Sequence, residues 1–277
     1  MTPQHFLPLA TYPDFSSELI ISNAITFAEF CGASLHVCAQ TVQIPHIPKT
    51  WAPLLLDTQN LIERAEFLSH DRAARLVAEA KQQSNLAKVK LSAMTLETAL
   101  PLLHKTIATQ ARFFDLAVVE CTAAAPDTRF IAEAIIFESG RPVVIFPNSS
   151  VVARVNHLVI AWDGSRAAAR GLNDAGPLLR KAQTVSVLSV SGEKSLPSDC
   201  ALHLANILVS RGVNAEAIVV QGSASSIGHS IQQAALNLGG DFLVMGAFGH
   251  SRLRDFVLGG ATAGVLDEPI LPILMSH

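Results

Sequence analysis

The chain has 277 residues, of which 49% are hydrophobic and 16% charged, with a formal net charge of −3 and a mean hydropathy of +0.36. This composition supplies apolar surface for two cores of ordinary domain size. It lacks the basic surplus that nucleic acid or an anionic membrane surface demands, so neither is expected as a partner.

The opening stretch "MTPQHFLPLATYPDF" has neither the basic start nor the long apolar segment of a signal peptide. No uncharged apolar run approaches the roughly 20 residues that cross a bilayer. Cys31, Cys38, Cys121 and Cys200 are widely separated and form no CxxC pair, which favours core thiols over disulfides or a zinc site. The expected location is the cytoplasm. His5, His36, His46, His70 and His104 make no H-x-x-x-H pair, so no protein-built metal site is expected.

In chain order, "HFLPLATYP" reads as a first strand, Ser16 to Cys31 as a helix, "SLHVCAQTV" as a second strand and about Trp51 to Ser84 as a long helix. "KVKLSAMTL" is a third strand. After a further helix come the strand "DLAVVE" (Asp115 to Glu120), an apolar helix pattern and the strand "GRPVVIFP" (Gly140 to Pro147). "PNSSVVAR" (Pro147 to Arg154) is rich in turn formers and reads as a linker. The same order then repeats: "NHLVIAWDG", a helix over Arg166 to Lys181, "TVSVLSV", a helix over about Ser198 to Arg211, "AEAIVVQG" and another helix. "DFLVMG" (Asp241 to Gly246) and, after a longer connection, "DEPILPILM" (Asp267 to Met275) complete it.

Each half is therefore β-α-β-α-β-α-β-α-β, an internal duplication supported by the Asp that opens each fourth strand and by the proline at the entry to each fifth. Parallel strands joined by helical crossovers bury both faces of their sheet. The expected fold is α/β, with two tandem open-sheet domains over residues 1–148 and 153–277.

"GAFGHSRLRDFVLGG" (Gly246 to Gly260) lies between the strand "DFLVM" and the helix pattern "ATAGVL". Strand, glycine-bearing loop and helix together offer free backbone N–H groups and the positive end of a helix dipole to an anion such as phosphate. The stretch is not a Walker A loop, because no Gly-Lys-Ser/Thr follows, and it is not G-x-G-x-x-G.

Gly246-x2-Gly249-x9-Gly259, following an apolar strand in a unit that opens with "VIAWDGS", resembles the nucleotide-binding signature of the universal stress protein family. The whole chain resembles that family's tandem, UspA-like form. The resemblance implies a five-stranded parallel sheet in each half, in the order 3-2-1-4-5 and flanked by helices. It also implies ATP or another adenine nucleotide, with Mg²⁺, over the ends of strands one and four. Asp163 would lie near the adenosine, Val190 near the base and Gly222 near the nucleotide, with the amides of Gly246, Gly249 and Gly259 facing phosphates and ribose. Family members that bind ATP follow the last glycine with Ser or Thr. Here that residue is Gly260, which keeps the amide and loses a hydroxyl worth about 1–3 kcal/mol against a charged acceptor. Thr262 lies two residues further on.

Plainer roles stand beside these. Asp163 could order its turn or share the capping of the next helix with Ser165. Gly246 and Gly249 could serve tight strand-to-loop geometry alone. His250, Arg252 and Arg254 either clamp a phosphate or form a solvated loop balanced by Asp255. His229 with Ser223, Ser225 and Ser226 invites a hydrolase reading, but no G-x-S-x-G elbow is present, and a serine after a strand commonly caps the next helix.

Aligning "DLAVVE" with "DFLVMG" puts Glu120 at the place of Gly246, Ala123 at that of Gly249 and Glu133 near that of Gly260. A carboxylate there repels phosphate, so the first half is expected to be degenerate, with structural or regulatory work. "RPVVIFP" and "PILPILM" are apolar sheet edges that need cover. The resemblance implies that they pair as an internal pseudo-dimer, with Pro269 and Pro272 suited to an edge of limited pairing; further homo-oligomerisation is left open. The expected function is that of a cytoplasmic stress-response binding or signalling protein, not an enzyme, with an adenine-nucleotide site in the second half. The alternatives are a nucleotide-free scaffold that takes another small ligand or a partner, and a slow ATP hydrolase.

Overall fold

The computed structural model describes residues 2–45, 58–123, 125–149, 154–191, 199–222, 226–247 and 260–277. The first half runs β1 (Gln4–Leu9), α1 (Glu18–Cys31), β2 (Ser34–Gln43), α2 (Thr58–Ala87), β3 (Leu91–Ala99), α3 (Leu103–Ala111), β4 (Leu116–Cys121), α4 (Pro126–Glu138) and β5 (Val143–Pro147). The second runs β6 (His157–Ala161), α5 (Arg166–Asp174), α6 (Gly176–Leu179), β7 (Thr184–Ser191), α7 (Cys200–Ser210), β8 (Ala215–Gln221), α8 (Ile227–Asn237), β9 (Phe242–Gly246), α9 (Ala261–Asp267) and β10 (Ile273–Ser276).

Local chemistry sets the helix limits. Ser17, Ser165 and Ser226 are N-caps whose hydroxyls accept from the amides of Ile20, Ala168 and His229. Gly32 ends α1 in the left-handed region at φ 68°, returning its N–H to the carbonyls of Ala28 and Glu29. The single helix expected over Arg166 to Lys181 is split at Ala175, because Pro177 lacks an N–H and fits only in the first turn of the new helix. The third strand is displaced towards Ala99, away from the charged "KVK".

All ten strands form one sheet in the order β3-β2-β1-β4-β5-β10-β9-β6-β7-β8. Each half contributes five strands in the expected order 3-2-1-4-5, parallel throughout. β5 and β10 meet antiparallel, with Val144 opposite Leu274, so the expected pairing of the two last strands is present within one chain. The two five-stranded sheets therefore join into one, and β10 is an interior strand. Each apolar final strand covers the other, which leaves β3 and β8 as the edges. Pro272 falls just before β10, where its carbonyl still accepts from Leu243.

Alternation along the strands sends side chains into two cores. Val144 and Phe146 of β5 join Leu274, Val118 and Val244 on one face, against α1, α2, α5 and α7. Val143 and Ile145 join Ile273, Met275 and Leu243 on the other, against α3, α4, α8 and α9. Both cores run through both halves. Phe27 of α1 stacks on Phe242 of β9 at 5.9 Å and meets Phe146 edge-on at 6.0 Å, so α1 packs across the junction. Among the described residues no helix is long and apolar enough to cross a membrane.

Candidate functional site

In the second half, strand order reverses at β6, which lies between β9 and β7. The carboxyl ends of such strands open the crevice where open α/β sheets take ligands. Asp163 follows β6, Val190 is near the end of β7, Gly222 follows β8, Gly246 ends β9 and Gly260 caps α9. Five of the seven residues singled out in the sequence thus lie along this one edge. Gly249 and Gly259 fall outside the described residues, as do His250, Arg252, Arg254, Asp255, Ser223 and Ser225.

The geometry gives several of these residues local roles. Asp163 Oδ1 accepts from the Ser165 amide at 3.0 Å, closing a turn in which Gly164 adopts φ 68°. Ser165, not Asp163, is the N-cap of α5. Gly246 sits where a Cβ would lie 2.3 Å from the Ala168 nitrogen and 2.4 Å from the Ala167 carbonyl carbon. Its missing side chain lets the first turn of α5 rest directly on β9, reinforced by Gly171, whose own Cβ would lie 2.9 Å from the Met245 carbonyl oxygen. Gly222 is tight as well: its amide donates to the Ser191 carbonyl at 2.9 Å, and a Cβ would sit 3.2 Å from that oxygen. Gly260 is different. It is extended, and among the described residues nothing lies within 4 Å of a Cβ and no side chain caps α9. Thr262 is buried. The Ser226 hydroxyl accepts from the His229 amide, so this serine caps α8.

Ladder register maps the first half onto the second. His5 pairs with Leu35 and Leu116 as Leu158 pairs with Val185 and Phe242. Extending the strands places Ala10 at the position of Asp163, Gln40 at that of Val190, Thr98 at that of Gly222 and Glu120 at that of Gly246. Glu120 is buried, and its Oε2 accepts from the Ser17 amide at 3.0 Å and the Ser17 hydroxyl at 2.7 Å. The N-cap serine of each half thus donates its amide to a carboxylate: Glu120 from the fourth strand in one, Asp163 from the turn after the first strand in the other. Buried Gln40 donates to the Leu103 carbonyl, and Arg72 of α2 donates to the Thr11 carbonyl. The cavity left among Ala10, Gln40, Leu103, His104 and Asp127 is about 10 Å³, room for one water at most. Glu133 is not near a helix start as the alignment suggested. α4 begins at Pro126, and Glu133 lies well along it, 2.8 Å from Arg129 Nε.

Among the described residues no group of three or more His, Cys, Asp or Glu converges to hold a metal. Burial pushes the thiols of Cys31, Cys38 and Cys121 up to about 12, which keeps them protonated and unreactive.

The chain is thus a duplicated α/β protein with a switch point in each half, that of the first half filled by Glu120 and Gln40. No protein-family model and no curated protein sequence matches it. A universal stress protein from Archaeoglobus fulgidus superimposes with a TM-score of 0.72 at 16% identity, over 98% of this chain and 95% of that one. One from Pseudomonas aeruginosa, described as putative, gives 0.60 at 14% identity, over 99% and 93%. A protein of unknown function from the same organism gives 0.56 at 15% identity, over 98% and 92%. The fold is that of the universal stress proteins, in the tandem form.

Proposed function

We propose that the chain is a binding protein of the stress-response type, cytoplasmic and non-catalytic, organised as a degenerate unit over residues 1–148 and a ligand-binding unit over 153–277. The ligand is an adenine nucleotide, ATP with Mg²⁺ or a relative, held at the carboxyl edge of β6 and β9. One observation carries this reading: Asp163, Val190, Gly222, Gly246 and Gly260 lie along one edge at a strand-order reversal, while the same edge of the first half is filled by Glu120 and Gln40. Gly249 and Gly259 complete the signature in the sequence.

A second reading, a nucleotide-free scaffold, is favoured by Gly246, whose contact with α5 explains its glycine without any ligand. Calorimetric titration of ATP with Mg²⁺ separates the two. The variants are Gly260→Ser, which meets no described atom within 4 Å and restores the hydroxyl, and Asp163→Asn, which keeps the oxygen that accepts from Ser165 and loses the charge. On the nucleotide reading the wild type binds, and Gly260→Ser tightens binding by about five- to hundredfold. No heat from the wild type or from Gly260→Ser supports the scaffold.

A further inference from the structure

β9 leads through Ala247 towards α9, and both Ala247 and α9 are held from the first half. At one end, the Ala247 amide donates to the Ser276 carbonyl at 2.8 Å, and a His277 ring nitrogen lies 3.0 Å from the Ala247 carbonyl. The His277 ring is set edge-on against Phe137 of α4, with centroids 5.3 Å apart. At the other end, the Cys121 thiol donates to the Leu266 carbonyl at 3.3 Å, and Arg129 of α4 pairs with Asp267, the last residue of α9. One helix of the first half, α4, therefore reaches the His277 ring beside Ala247 through Phe137 and the C-terminal end of α9 through Arg129.

α9 needs such support. It has only seven residues, no side-chain cap at Gly260 and no basic residue of its own in its last turn. Helices this short are marginal in isolation and take their order from tertiary contacts. Arg129 supplies, from the other half, the cation that the carbonyl end of α9 lacks.

We propose that α4 of the first half positions the ligand site of the second, through Arg129 on α9 and through Phe137 and His277 on Ala247, so that ligand occupancy and the contact between the halves are coupled. The coupling to ligand rests on the nucleotide reading above; the positioning of α9 does not. Arg129 and Phe137 are positioning residues, remote in sequence from the glycines. Reciprocity requires that a ligand which binds better when α9 is held also strengthens the hold on α9.

The test uses the full chain with Arg129→Ala, Arg129→Lys and Asp267→Asn. Hydrogen exchange of the peptide spanning α9 is followed without ligand, with a β2 peptide as the control for global stability. ATP with Mg²⁺ is then titrated into each protein. Arg129→Ala should speed α9 exchange and weaken the ATP Kd by about two- to fivefold, the range of a partly exposed ion pair. Arg129→Lys should recover part of both effects, and about 1 M salt should bring the wild type close to the variant. Unchanged α9 exchange in Arg129→Ala overturns the positioning. A wild type that binds ATP beside an Arg129→Ala protein that binds it equally well overturns the coupling alone. A wild type that binds no ATP overturns the nucleotide reading and the coupling with it, while the exchange result still decides the positioning.

Discussion

Replacing Gly246 by alanine separates the structural use of this glycine from any ligand. The new Cβ would lie 2.3 Å from the Ala168 nitrogen, 2.4 Å from the Ala167 carbonyl carbon and 2.8 Å from the Ala167 Cβ. None of these atoms belongs to a flexible side chain, so α5 must move off β9 by about 1 Å to restore contact at roughly 3.5 Å. That shift opens the packing around buried Ala167 and Ala168 and is resisted by Gly171, which seats the next turn on Met245. Overpacking of this kind costs about 3 kcal/mol, which lowers the urea midpoint by roughly 1 M for an m-value of about 3 kcal/mol/M. The assay is urea denaturation followed by far-UV circular dichroism in nucleotide-free buffer. An unchanged midpoint would refute the close docking of α5 on β9. The expected loss also means that weakened ATP binding in a Gly246 variant cannot by itself be credited to a phosphate contact.

Burial depresses the pKa of His5 from 6.5 to about 4, partly countered by Asp115, and its Nδ1 has no hydrogen-bond partner. The unfolded chain therefore takes up a proton below pH 6.5 that the folded chain refuses until about pH 4; stability present above 6.5 falls through this window by about 3 kcal/mol. His5→Leu, which installs the residue found at the matching position 158, should flatten that slope in urea midpoints measured across the window. Glu120→Gln should cost about 1–2 kcal/mol by weakening the acceptor for the Ser17 amide and hydroxyl. Adding Ala10→Asp should not rescue it, because Ala10 is buried and a carboxylate placed there would be desolvated, and equal recovery in urea midpoints would contradict this.

The strands and their duplication were legible because parallel strands buried on both faces read as continuous apolar runs, and "DLAVVE" and "DFLVMG" are such runs. The break between α5 and α6 was also visible in principle, as Gly176-Pro177 inside the expected helix. Long-range partners were not legible. Nothing local to Glu120 points to Ser17, 103 residues earlier, and nothing local to Arg129 points to Asp267, 138 residues later. Gly246 shows a subtler limit. Its place in the signature is plain, but spacing cannot tell a glycine that admits a ligand from one that admits a helix backbone, and here the helix lies within reach.

The two halves answer one requirement in opposite ways. Each begins its first helix with a serine N-cap whose amide must find an acceptor at the edge of the sheet. In the first half a six-residue connection folds back so that Ser16 exchanges hydrogen bonds with Ala10, and Glu120 supplies the acceptor for the Ser17 amide from β4. In the second half the turn is cut to Asp163-Gly164-Ser165, so the acceptor comes from within the turn and β9 can end in Gly246. The carboxylate thus stands on the fourth strand in one half and in the turn after the first strand in the other, and its place sets whether the fourth strand ends in a side chain that fills the edge. Glu120 is thereby tied to the fold of the first half through Ser17, while β9 ends in Gly246, against which α5 rests directly.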